Sequence, residues 1–163
     1  MTRDSRIKAG IDMDGMLFGE SWKKGIDAPF LVFRSHEPDY AAIAKQLKAE
    51  GISEDSLKKV YAVFSTRVDS LLRFGGTEVR MDGIYHMGFS DVVRCCPPLV
   101  RRFGFTYQDD PERAHAAIAS YTLAFFSKWL KETKAEYLSV EIPPGVQVKT
   151  VNHKPTGTAP ARQ

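Results

Sequence analysis

A chain of 163 residues is long enough for one domain with its own core and too short for two large ones. Hydrophobic residues make up 43% and charged residues 26%, the balance of an ordinary soluble globular protein. A net charge of +3 argues against a nucleic-acid binder, and no apolar run approaches the roughly 20 residues that a membrane span requires.

The basic pairs Lys58-Lys59 and Arg101-Arg102 are isolated and read as solvated helix faces. The two cysteines, Cys95 and Cys96, are adjacent, which ordinary disulfide geometry disfavours, and there is no second pair for a framework or a zinc site. They read as a helix end stopped by Pro97-Pro98. The opening MTRDSR is polar and lacks the apolar segment of a signal peptide. The compartment stays open: cytoplasmic, or secreted if an upstream signal was lost.

In chain order, Arg6 to Asp14 reads as a strand, with Ile7, Ala9, Ile11 and Met13 alternating with Lys8, Gly10 and Asp12. It ends at Asp14-Gly15, followed by the apolar loop Met16-Leu17-Phe18-Gly19. Asp14 is either a capping residue or a carboxylate that orients a base. Lys24 to Asp27 is a turn. Ala28 to Ser35 is a second strand, whose continuous run Phe30 to Phe33 suits burial on both faces of a parallel sheet, with Pro29 at its start. It opens into the polar loop His36-Glu37-Pro38-Asp39.

Tyr40 to Glu50 reads as a helix closed by Gly51. Ser53 is an N-cap, with Glu54 and Asp55 in the first turn. Leu57, Val60, Tyr61, Phe64, Val68, Leu71 and Leu72 then mark one apolar helical face that ends at Gly75-Gly76. A third strand, through Thr77, Val79 and Met81, ends at Asp82-Gly83. His86 follows on a short loop, before a short helix over Ser90 to Cys95.

Leu99 to Phe105 is ambiguous. The last helix has Asp110 as N-cap, Pro111 at its first position and Glu112 in its first turn. Ile118, Tyr121, Phe125 and Trp129, with Ala114, Leu123, Phe126 and Leu130, give it a broad apolar face. Val146, Val148 and Val151 suggest a short strand, and the final KPTGTAPARQ reads as disordered. This divides the chain into a body, 1–142, and a Pro/Gly/Thr-rich tail, 143–163. His115 in the last helix and His153 in the tail belong to no pattern.

Strands separated by helices predict the α/β class, with a parallel sheet and covering helices. In such sheets function gathers at the carboxyl ends of the strands. Asp14, the His36-Glu37 pair and His86 all fall there. Histidine titrates near neutrality and can both take and give a proton, and an acid beside it can fix its tautomer. A metal site from His36, Glu37, Asp39 and His86 lacks H-x-x-x-H ligand spacing, so no metal is expected.

The segments AGIDMDGMLFG, APFLVFRS, DGIYHMGFSD and DPERAHAAIASYTLAFFSKWL together resemble the C-terminal half of platelet-activating-factor acetylhydrolase-like α/β-hydrolases. The resemblance runs from about Arg6 to Leu130. It implies a partial α/β-hydrolase fold and hydrolysis of short-chain or lipid carboxylic esters by a serine–acid–histidine triad, without cofactors. By the same resemblance the acid is Asp14, with Glu37 as the alternative, and the histidine is His86. Met16, Leu17 and Phe18, with Met87 beside the histidine, would lie near the acyl group.

One departure is large. The family's nucleophile sits in a G-x-S-x-G elbow roughly two dozen residues before the acid, and no G-x-S-x-G occurs in these residues; Ser21 and Ser90 lack the pattern. The expectation is a nucleophile encoded upstream and a chain inactive by itself. The alternative is a non-catalytic module that dimerises, or complements an N-terminal half chain, through the open edge of its first strand.

Overall fold

The computed structural model of the chain describes residues 4, 6–26, 28–95, 111–131 and 147–154. Its centre is β2, Phe30–Arg34, in which Leu31, Val32 and Phe33 have no solvent exposure. An unbroken apolar run is what a strand covered on both faces requires. Each of these side chains contributes about 1.5–3 kcal/mol by leaving water. β1, Gly10–Met13, pairs with β2 in parallel, from Gly10 opposite Phe30 to Met13 opposite Phe33. β3, Gly76–Asp82, lies parallel on the other side of β2, with Leu31 opposite Thr77.

The fourth strand departs from the expected parallel sheet. β4, Gln147–His153, runs antiparallel to β3 along its whole length, from Gly76 opposite His153 to Asp82 opposite Gln147. The sheet is therefore mixed, in the order β1-β2-β3-β4. An antiparallel strand on the edge of a parallel sheet can carry polar residues on a partly solvated face, as Lys149 does here. The expected tail thus includes a strand of the sheet, and the disorder expected at its end lies outside the described residues.

β1 is shorter than the expected Arg6–Asp14. Its ladder begins where Gly10 N–H donates to Pro29 O, with Gly10 opposite Phe30, the first residue of β2. Ahead of it, Arg6 turns back onto Asp4, and Ile7 is 61% exposed.

Two helices cover the sheet. α3, Glu54–Leu72, starts with the expected cap: Ser53 Oγ accepts from Ser56 N–H at 3.2 Å, and Ser56 Oγ lies 3.0 Å from the Ser53 N–H that donates to it. Val68 and Leu72 pack with Val32, and Phe64, Leu17 and Phe30 close that layer. Val60 was expected on the same face but is 55% exposed; it lies one helical step from Tyr61 and turns outward.

On the opposite face lies α5, Pro111–Leu130. Ala114, Ala117, Ile118, Tyr121 and Phe125 repeat at three- and four-residue intervals and pack on Leu31, Phe33, Val79 and Met81. The expected apolar face is too broad. Leu123, Trp129 and Leu130 are 68%, 42% and 53% exposed, since one flat sheet covers only one stripe of a helix.

Smaller elements complete the fold. α1, Ser21–Lys24, was not foreseen. α2, Tyr40–Gln46, is capped by Asp39 and runs into a 3-10 turn, Lys48–Glu50, which Gly51 closes in the left-handed conformation at φ 73°. A second 3-10 turn, His86–Phe89, and α4, Val92–Cys95, follow β3. The Cys96 and Pro97-Pro98 stop, the stretch 99–105 and the Asp110 cap lie outside the described residues. Among the described residues, no helix is long and apolar enough to cross a membrane.

Candidate functional site

Because β1, β2 and β3 are parallel, their carboxyl ends share one rim, and each sends a polar group onto it. β1 ends at Asp14, whose backbone N–H still donates to Phe33 O at 3.1 Å. Its φ of 55° then breaks the strand into the left-handed region. Aspartate tolerates that region better than most residues, and such outliers concentrate at functional sites. Beyond β3, Ile84 is buried, and Phe89 packs on Phe33 with ring centroids 5.9 Å apart. These two apolar anchors hold the turn that carries His86. His36 N–H donates to Ile84 O at 2.6 Å, tying the ends of β2 and β3 together.

On this rim Asp14 Oδ2 and His86 Nδ1 are 2.8 Å apart. Asp14 is 5% exposed, and its Oδ1 accepts the Ser35 N–H at 2.8 Å. A carboxylate oxygen only accepts, so Nδ1 carries the proton and Nε2 is left as the acceptor. The His86 side chain is 60% exposed. Its affinity for a proton is raised, first by the hydrogen bond to Asp14, against the opposing effect of burial. The arrangement is a buried, anchored acid holding an accessible imidazole in one tautomer, with a proton acceptor at the surface.

The other candidate acid is placed differently. Glu37 is exposed and accepts from the Tyr40 hydroxyl at 3.1 Å. Burial, then that bond to Glu37, pushes the Tyr40 hydroxyl up to about 12. His36 Nδ1 stands 3.6 Å from Asp82 Oδ1, and Asp39 accepts the Ala42 N–H. His36, Glu37, Asp39 and His86 thus face four different partners. Among the described residues no group of three or more His, Cys, Asp or Glu side chains converges as a metal site.

The apolar residues of the Met16–Phe18 loop are dispersed. Met16 and Phe18 are 46% and 74% exposed. Leu17 packs inward against the α3 layer, and its carbonyl accepts from Arg67 at 3.1 Å. Met87, the residue after His86, is half-buried. None of the four lines the shallow groove of about 310 Å³ between α1 and α3, which is formed by Trp22, Ala62, Val63, Thr66 and Arg67. Ser90 Oγ donates to Met87 O at 2.7 Å and is committed to the turn.

Two contributors were not legible in the residues. The Ser35 amide anchors Asp14 through its backbone, which leaves no trace in side-chain identity. Asp12 read as a polar strand position, yet it is partly buried beside the pair. Its place two residues before a rim carboxylate, on a strand next to the apolar β2, was the available signal. His153, which fitted no pattern, belongs to a separate cluster: its Nε2 lies 3.1 Å from Oε2 of the buried Glu78.

A scan against protein-family models finds no match to the chain. A search of curated proteins finds none either.

Proposed function

We propose that this chain carries the acid and the histidine of a serine carboxylic ester hydrolase of the platelet-activating-factor acetylhydrolase-like type, with the attacking serine supplied by a segment outside these 163 residues. The observation that carries the reading is the 2.8 Å contact between Asp14 Oδ2 and His86 Nδ1, on the rim shared by the three parallel strands, with Nε2 as the remaining acceptor. In this reading Nε2 takes the proton of a serine hydroxyl as the hydroxyl attacks the ester carbonyl. The imidazolium passes that proton to the leaving alcohol, and a water molecule activated in the same way releases the acid. Asp14 fixes the tautomer and stabilises the imidazolium, and no cofactor is needed. Substrate would be a short-chain or lipid ester, held partly by Met16, Phe18 and Met87.

The test is turnover of p-nitrophenyl acetate. The chain alone should match its His86→Ala variant. Supplied in trans with an N-terminal half bearing G-x-S-x-G, it should gain His86-dependent turnover, and Asp14→Asn should then lower the rate on the order of 10³–10⁴-fold. Turnover by the chain alone that depends on His86 would point to an internal nucleophile, Cys95 or Cys96 first. No His86-dependent turnover after complementation would sink the reading.

A second reading, an interaction module that pairs through β1, has its own support. Gly10 and Asp14 donate to β2, so the intervening Ile11 and Met13 turn their backbone groups the other way, and no described strand lies there. Met13 on β1, and Met16 and Phe18 in the loop that follows it, are exposed. Analytical ultracentrifugation decides: a monomer well above micromolar concentration removes the homodimer.

A further inference from the structure

Strand β1 carries two aspartates, and the site described above uses only the second. Asp12 stands opposite Val32 in the parallel register, which turns it toward the layer of Val68 and Leu72 under α3. Its Oδ1 accepts the Gly15 N–H at 3.1 Å and so spans the turn in which Asp14 sits. A Cβ on Gly15 would meet that oxygen at 2.5 Å, so the glycine and the carboxylate are matched. Oδ2 is shut off from solvent, and no described group hydrogen-bonds it.

Leaving a carboxylate oxygen in that condition is costly, so a compensating interaction is expected. The charges of Asp14 and His86 both act on Asp12, and the charge of Asp12 acts on His86. Burial above all pushes the Asp12 carboxyl up to about 6; the Gly15 bond opposes this, the Asp14 charge adds to it, and His86 opposes it. The other charged or titratable groups nearby are already engaged. Arg34 on β2 pairs with Asp69 and Glu78. Arg67 of α3 donates to Leu17 O, and the Tyr61 hydroxyl of α3 is held un-ionised by burial and by the charge of Asp14.

We propose that Asp12 is a positioning residue for His86: through Oδ1 it braces the turn that presents Asp14, and through the charge of its buried carboxylate, whose Oδ2 no described group hydrogen-bonds, it favours the imidazolium across space. The imidazole is then held by two carboxylates with different duties. Asp14 makes the hydrogen bond and sets the tautomer. Asp12 adds charge that can be withdrawn, because it takes a proton in mildly acidic solution and its support then disappears. The proposal rests on the Asp14–His86 pair and not on ester chemistry, so its test reads the ring and not turnover.

The experiment is an NMR titration of the His86 imidazole in the full chain, wild type against Asp12→Asn. The variant keeps an oxygen for the Gly15 N–H and removes the charge, with an amide nitrogen in place of Oδ2. The His86 midpoint should fall by about half a pH unit, roughly threefold in proton affinity, while the ring nitrogen shifts still report Nδ1 bound to Asp14. An unchanged midpoint in the folded variant overturns the proposal. So does a lower midpoint accompanied by loss of the Nδ1 bond, which is what a purely structural role predicts. If Asp12→Asn does not fold, the carboxyl carbon of Asp12 in the wild type carries the test. It should titrate near 6, with a second inflection where His86 titrates. A midpoint in the ordinary carboxylate range without that inflection overturns the proposal. Failure here leaves the ester-hydrolase reading standing, and failure of the complementation assay leaves this result standing.

Discussion

Asp14 and His86 stand 72 positions apart in the chain and meet at 2.8 Å, Oδ2 to Nδ1. The contact exists because β1 and β3 flank β2 in parallel and end on the same rim.

The pair makes stability depend on pH in a definite direction. His86 binds its proton more tightly when folded, so its contribution is fully present below the ordinary histidine value near 6.5. It is lost as pH rises through the raised folded value. With the ring 60% exposed, screening limits that contribution to roughly 0–1 kcal/mol. Asp14→Asn should therefore cost more stability in mildly acidic than in mildly alkaline solution, and should return the His86 midpoint to the ordinary histidine range or below. Urea unfolding at two pH values and an imidazole titration check both.

Glu78 is buried between two arginines and a histidine. Its Oε1 lies 2.7 Å from Arg80 Nε and 3.1 Å from Arg34 Nε, and its Oε2 lies 3.1 Å from His153 Nε2. The Arg34 contact is a charge contact without hydrogen-bond alignment, since Arg34 Nε has no hydrogen-bond partner. Burial pushes the carboxyl up, but the Arg34 charge and the bonds to Arg80 and His153 outweigh it and hold the carboxyl low. A depressed carboxyl stabilises above its unfolded value near 4.5, and that stability is lost as pH falls through the folded value. Glu78→Gln should cost about 1–3 kcal/mol at neutral pH by removing the buried charge that faces Arg34, which keeps its pair with Asp69, with the cost shrinking in strong acid. Chemical denaturation across pH measures it.

Phe125 of α5 is 1% exposed and lies in the cluster around Phe33 and Tyr121. Phe125→Ala should cost about 3–5 kcal/mol, the transfer of the ring plus the cavity left behind. Leu123→Ala, at a side chain 68% exposed on the same helix, should change stability within about 0.5 kcal/mol. Thermal melts of the two variants compare a covered with an uncovered stripe of one helix.

Gly76 opens β3 at φ 133°, and a Cβ there would stand 3.1 Å from Phe30 O and 3.4 Å from Leu72 Cδ2. Gly76→Ala meets both a backbone conformation that side chains avoid and a backbone atom that cannot step aside. It should destabilise by about 1–3 kcal/mol. Because Gly76 also pairs with His153, amide exchange along β4 should rise in the variant.

The positions of β2, β3, α3 and α5 were legible because alternation and helical spacing record which face of a local segment leaves water. The Ser53 cap and the strand ends at Asp14 and Gly83 were legible for the same reason: caps and breaks depend on residues within a few positions of one another. Spacing could not say that β4 runs antiparallel beside β3. Nor could it say that Leu123 and Trp129 lie beyond the reach of the sheet, or that His153 closes on Glu78. Those outcomes depend on what lies across space. Amino-acid order by itself determined which groups could stand on the rim. Tertiary structure alone decided that Asp14, and not Glu37, holds His86, and that Asp12 is deprived of water, because distance and desolvation are set by packing between segments far apart in the chain.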